Sequence, residues 1–210
     1  KDINLITDFN YSFGKFLNIM FEFSFKDKII EIIRYHINNL LKQNSFSLIW
    51  KFLIPFTISK NFVIYLSETL PIKPLSKVFY SPFTSLTSLI FLAFQKTIYS
   101  DSTEAISYSC AFFCKLFLPL EDLDISLLYR IGYIFAPVLD LISQTFEVQR
   151  SSKEIFTTTQ KIDLIPVIGF LISYTPQQYL RNYFNSMFPV FQSHFLHSFE
   201  LILLFIQSLL

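Results

Sequence analysis

Apolar residues recur along most of the chain at helical rather than strand spacing. The clearest segment is Asp27–Gln43, where seven isoleucines and leucines form one wide apolar stripe and polar side chains take the other face. Asp27 lies at its start, where a carboxylate favours a helix N-terminus. Few stretches alternate apolar and polar residues with a period of two, and hairpin dipeptides are almost absent. The pattern therefore predicts an all-α fold.

Prolines and short polar stretches divide the rest of the chain into further helices. Asp101-Ser102-Thr103-Glu104 has the form of a helix start, with a capping residue and a glutamate three positions later, and it predicts a helix to Leu118. Pro137 lies inside Asp124–Val148 and predicts a kink or two helices there. The other predicted helices are Ile3–Phe25 (one or two around Gly14), Phe46–Phe56, Asn61–Leu70, Pro82–Tyr99, Ser151–Lys161, Asp163–Tyr174, Gln177–Met187 and Pro189–Leu210.

Two short motifs recur along this helical series. The first starts 41 and then 38 residues after its first copy and reads Ser47-Leu48-Ile49-Trp50, Ser88-Leu89-Ile90-Phe91 and Ser126-Leu127-Leu128-Tyr129. The second is an apolar pair, a proline and another apolar residue, at Leu53-Ile54-Pro55-Phe56, Leu164-Ile165-Pro166-Val167 and Met187-Phe188-Pro189-Val190. A period of about 40 residues is typical of helical-hairpin repeats.

With these motifs the chain resembles the HEAT and armadillo α-solenoids. Ile134–Phe156, with its Phe-Ala-Pro-Val-Leu-Asp-Leu-Ile run, resembles in particular the importin-β and exportin (karyopherin) repeats. The resemblance covers about a third of the chain, and it lacks the regular Asp and Arg of HEAT turns. It implies that residues 1–210 are one segment of about four to five antiparallel helix pairs, cut from a longer array. It also implies protein partners, among them a small GTPase and cargo, and a place in the cytoplasm or nucleus.

Composition argues against catalysis and against cofactors. The three glycines are isolated and cannot form a phosphate-binding loop. With three histidines and scattered carboxylates, no set of nucleophile, base and orienting residue can be proposed. The formal net charge of +1 gives no reason to expect nucleic acid. We therefore expect a non-catalytic protein-binding scaffold with no cofactor.

Two features are candidates for partner binding. Glu121, Asp122 and Asp124 form an acidic cluster between helices, which either caps a helix in solvent or docks a basic peptide or a metal. Trp50 is the only tryptophan, within an aromatic stretch that either packs in the core or lines an exposed groove for an apolar peptide.

A metal site is the less favoured interpretation of the cysteines. Cys110 and Cys114 lie one turn apart, and with His194 and His197 they would make a zinc ligand set. Their apolar surroundings favour buried structural cysteines instead. For His36, at the edge of the isoleucine stripe, we expect a half-buried, hydrogen-bonded histidine.

The alternative class is an integral membrane protein with short or re-entrant helices. The chain is 52% hydrophobic, with 27 phenylalanines and a mean hydropathy of +0.45. Its longest charge-free runs approach the 20 or so residues that a spanning helix needs. Each run contains several hydroxyl, amide or proline residues, so membrane insertion is the less favoured prediction.

Overall fold

The structure is a computed structural model that describes residues 2–23, 26–68, 85–100, 102–117, 120, 123–147 and 157–175. Within these ranges it has eight α-helices and one longer 3₁₀ helix, and no strand. The predicted all-α class is thus confirmed for the described residues. The chain divides into two compact units, Lys1–Leu116 and Phe117–Leu210, and each is described by itself.

The helices follow one another with short connections. Those of the first unit are α1 (Asp2–Glu22), α2 (Lys26–Lys42), α3 (Phe46–Leu53), the 3₁₀ helix (Ile54–Ile58), α4 (Lys60–Glu68), α5 (Leu86–Ile98) and α6 (Thr103–Phe117), whose last residue opens the second unit. Those of the second unit are α7 (Ile125–Glu147) and α8 (Thr158–Tyr174). The predicted helices Gln177–Met187 and Pro189–Leu210 lie outside the described residues.

Serine and threonine side chains set several helix starts. The hydroxyl oxygens of Ser59, Ser85 and Ser102 each accept a hydrogen bond from the backbone N–H three residues later, at 3.1–3.2 Å. At α6 the cap is therefore Ser102 rather than the start predicted at Asp101, a residue outside the described ranges. Thr157 and Gln160 form a reciprocal capping box at α8.

Three predicted boundaries were wrong. Phe46–Phe56 is not one α-helix, because the chain tightens into the 3₁₀ helix at Ile54, next to Pro55. The break predicted between Lys161 and Asp163 is absent, since α8 runs through both positions from its capping box. Two helices were one alternative for 124–148, but α7 is assigned as one continuous helix.

In the first unit, α1 packs directly against α3 at Gly14. A Cβ added at Gly14 would lie 2.1 Å from the carbonyl oxygen of Phe52, so the two backbones touch. This close approach buries Leu17 and Phe21 on the same face of α1. Behind α3, an aromatic cluster fills the core, with the rings of Phe94, Phe112 and Phe113 all within 6.1 Å of the Trp50 ring.

The second unit repeats this device in the α7–α8 pair. A Cβ at Gly132 would lie 2.4 Å from the carbonyl oxygen of Tyr174, and the hydroxyl of Thr175 donates to the carbonyl oxygen of Gly132 at 3.1 Å. Phe117 and Phe170 stack with ring centroids 4.8 Å apart beside this contact. In both units a glycine thus allows one helix to approach its neighbour's backbone.

Candidate protein-interaction surfaces

Trp50, one of the predicted partner-binding residues, lies in the core of the first unit. It is 0% exposed, and its indole N–H donates to the hydroxyl of Thr97 at 2.9 Å. The Thr97 hydroxyl in turn donates to the carbonyl oxygen of Ala93. An exposed aromatic groove at Trp50 is therefore wrong, because the ring is enclosed by protein. The alternative interpretation, core packing, is confirmed.

The acidic cluster is described only at Asp124, since Glu121 and Asp122 lie outside the described residues. Asp124 is exposed and immediately precedes α7. Its carboxylate accepts hydrogen bonds from the hydroxyl and the backbone N–H of Ser126. These bonds hold the pKa of Asp124 below its ordinary value. The observed role of Asp124 is to cap α7, and a docked basic peptide stays a prediction.

Lys51, next to Trp50, points to the opposite side of α3. Its ammonium nitrogen lies 2.9 Å from a carboxylate oxygen of Glu104 and 4.4 Å from the centre of the Tyr108 ring. Burial opposes the charge, but hydrogen bonding and attraction to Glu104 and Tyr108 outweigh it and raise the pKa of Lys51. The contacts tie α3 to the first two turns of α6.

His36 on α2 is half-buried against α1, as predicted. Its Nε2 lies 2.8 Å from the side-chain oxygen of Asn10, and its ring lies 4.5 Å from the ring of Phe52. Burial lowers the pKa of His36 below 6.5, because the apolar surroundings disfavour the charged imidazolium.

This shift predicts a loss of stability on mild acidification. Because the unfolded chain binds the His36 proton more tightly than the folded chain, the free energy of unfolding should fall as the pH drops from 7.5 through 6.5. Urea unfolding at successive pH values measures this. His36→Gln keeps a hydrogen-bonding group but cannot titrate, and its stability should depend less on pH. An unchanged dependence in His36→Gln contradicts the prediction.

The structure places the two cysteines on α6. Cys110 is buried, Cys114 is half-buried, and the two histidines of the zinc hypothesis lie outside the described residues. Where side chains are described, no group of three or more His, Cys, Asp or Glu stands together to hold a metal ion.

The largest departure from the sequence-based picture is an apolar surface on α1. Phe9, Phe16, Ile19 and Phe23, here called the α1 row, are 61%, 56%, 49% and 69% exposed. Three of them are spaced seven residues apart, so they line one face over roughly 21 Å of helix. The heptad spacing of the three phenylalanines was visible in the sequence, and we did not predict its exposure.

A charged flank runs beside the α1 row. Asp8, Lys15 and Glu22 each precede one of the three phenylalanines, and all three are exposed. They form one line of alternating sign, negative, positive and negative. The Glu22 carboxylate accepts hydrogen bonds from Ser59 and Asn61, which are neutral, so its negative charge is retained.

A second concave surface lies between the start of α3 and the end of α5. Its volume is about 370 Å³, and it is lined by Phe46, Leu92, Gln95, Lys96, Tyr99 and Ser100. Aromatic and aliphatic walls with one amide and one cation suit the capture of a single side chain or a small ligand. Of the predicted aromatic stretch around Trp50, Phe46 alone reaches this surface.

The described helices were also compared with the requirements of a membrane span. None of them, taken singly, is both long and apolar enough to cross a bilayer. One pair, Phe46–Ile58 with Lys60–Leu66, meets these requirements by length and composition, but it is bent by 110°. Many of its apolar side chains, including Trp50, Phe52 and Phe62, are buried inside the first unit.

Comparison of the chain with known protein families, with curated proteins and with solved structures found no match. A functional assignment therefore rests on the geometry of the chain itself.

Proposed function

We propose that the chain is a non-catalytic protein-binding scaffold built of stacked, HEAT-like helix pairs. The observation that carries this proposal is the α1 row. Four large apolar side chains on one helix face, with a charged line beside them, form a contiguous patch rather than scattered exposed residues. Such patches are typical of interaction sites.

The positions of the repeated tetrapeptides support the solenoid part of the proposal. The copies that begin at Ser47, Ser88 and Ser126 all lie in the first turn of a helix, namely α3, α5 and α7. Alternate helices of the described series thus begin with the same pattern, as expected when a helix pair is the repeating unit.

Site-specific photo-crosslinking tests the scaffold function. A photo-reactive phenylalanine analogue at position 16, in the full chain expressed in its own cell, should give discrete adducts with other proteins. The same group at position 33, which is buried in the same unit, should give none. If neither position 16 nor position 99, at the second concave surface, gives a protein adduct, the scaffold function is wrong.

The resemblance to karyopherins makes the proposal more specific. It places the chain in a nuclear transport receptor that moves between cytoplasm and nucleus and binds a small GTPase and protein cargo. Binding of the full-length protein to the GTP-loaded and GDP-loaded forms of such GTPases tests this. Equal or absent binding to both forms contradicts the transport role and leaves the scaffold proposal in place.

The bent pair Phe46–Ile58 with Lys60–Leu66 is the observation that favours the alternative, an integral membrane protein with re-entrant helices. Carbonate extraction of cell membranes separates the two proposals. Recovery of the protein without detergent supports the scaffold, and retention in the carbonate-washed pellet supports the membrane protein.

A further inference from the structure

We infer that the α1 row binds one amphipathic helix of a partner protein, and that this helix carries a basic–acidic–basic line at seven-residue spacing beside its apolar stripe. The inference rests on the proposed scaffold function and names the class of partner. It follows from the spacing of the apolar side chains, from the signs of the flanking charges and from the length of the surface.

The shape of the row suits a helix. Phe9, Phe16 and Phe23 repeat every seven residues, with Ile19 between the last two, which is the spacing that one helix presents to another in a coiled-coil seam. Over roughly 21 Å the row matches a partner of about four turns. The opposite face of α1, with Leu17 and Phe21, already packs in the core, so a partner adds to α1 without displacing it.

The flank determines which helix fits. Asp8, Lys15 and Glu22 favour a positive, a negative and a positive charge at matching positions of the partner. Because this order is the same read in either direction, parallel and antiparallel partners satisfy it equally. The charges therefore select a sequence class and a register, and they leave the direction open.

The same charges disfavour two other occupants. In an antiparallel pair of two copies of α1, the flank would face itself in register and oppose like charges at each of the three positions. A membrane surface is disfavoured because helices that lie on anionic bilayers carry mainly Lys and Arg beside the apolar face. Here two of the three flanking residues are acidic.

Two synthetic helical peptides test the inference with the full chain. Both have four turns and the same Leu stripe; one carries a Lys–Glu–Lys line at seven-residue spacing and the other carries Glu–Lys–Glu. The first should bind roughly tenfold more tightly at low salt, and the difference should shrink at high salt. Calorimetric titration measures both affinities.

Variants of the chain link this preference to the row. Phe16→Ser should weaken binding of the Lys–Glu–Lys peptide about tenfold or more, as expected for a central aromatic contact. Ile125→Ser removes a comparably exposed apolar side chain in the other unit and should leave binding unchanged. Lys15→Glu should shift the preference to a Lys–Lys–Lys peptide, which reports the register directly. Circular dichroism verifies that each variant is folded.

Four results would overturn the inference: equal affinity for the two peptides, no effect of Phe16→Ser, a dimer without peptide that Phe16→Ser dissociates, or binding to vesicles of mixed neutral and anionic lipid that Phe16→Ser abolishes. The third assigns the row to a second copy and the fourth to a membrane. If crosslinks from position 16 identify proteins while the peptides show no preference, the scaffold function stands and the helical partner is wrong.

Discussion

Replacing Trp50 with alanine should lower the free energy of unfolding by about 3–5 kcal/mol. The side chain is fully enclosed and three phenylalanine rings lie against it, so the deletion opens a cavity that the surrounding helices cannot fill completely. Because domains have only about 5–15 kcal/mol of stability, the loss is a large part of the total. Urea unfolding followed by far-ultraviolet circular dichroism measures it in the absence of the tryptophan signal.

Two further variants separate the cavity from the hydrogen bond. Trp50→Phe keeps an aromatic ring and loses the indole N–H, and it should cost much less than Trp50→Ala. Thr97→Val removes the acceptor, and a double-mutant cycle of the two substitutions isolates the hydrogen bond, for which we expect about 1 kcal/mol. Tyr99→Ala, at an exposed position on the same helix as Thr97, should change stability by less than about 0.5 kcal/mol. A loss under about 1 kcal/mol in Trp50→Ala would contradict the enclosed position of the ring.

Replacing Gly14 with alanine should destabilise the first unit by about 2 kcal/mol. In most helices this substitution stabilises, because alanine has the higher helix propensity by up to about 1 kcal/mol. Here the new methyl group would lie 2.1 Å from the carbonyl oxygen of Phe52, which is backbone and cannot rotate away. The helices must separate, and overpacking of this kind costs about 1–3 kcal/mol or more. The clash therefore determines the sign.

Ser12→Ala is the matched control for Gly14→Ala. It lies on the exposed face of the same helix and should stabilise slightly through propensity alone. Gly132→Ala repeats the experiment at the close approach of Gly132 to Tyr174 and should also destabilise. A stabilised Gly14→Ala would contradict the close approach of α1 to α3. Denaturant midpoints at a constant slope compare all three variants.

Sequence reasoning was most successful where one face of a helix differs clearly from the other. The stripe from Ile29 to Leu41 predicted α2, and all six residues of that stripe that are buried in the structure were among those predicted to face inward. It was less successful at helix ends, because several residues near Lys161 and Asp163 were plausible starts. The side-chain hydrogen bonds of Thr157 and Gln160 select the start that is observed.

The candidate site was beyond sequence reasoning for a different reason. Of the predicted partner-binding residues, Trp50 is in the core and Asp124 caps α7, while the exposed surface is the α1 row. Both faces of α1 are apolar: one carries Leu17 and Phe21, and the other carries Phe9, Phe16 and Phe23. Helical periodicity alone does not say which of two such faces is buried.

The sequence by itself determined that this chain is helical, because the period of its apolar residues is a local property of the chain. Only the tertiary structure decided which apolar residues became core and which became surface. On α1 the decision is made at Gly14, where the missing side chain lets the helix approach the backbone of α3. That contact turns Leu17 and Phe21 inward and leaves the α1 row exposed, because a helix packed along one side must present its opposite side to solvent.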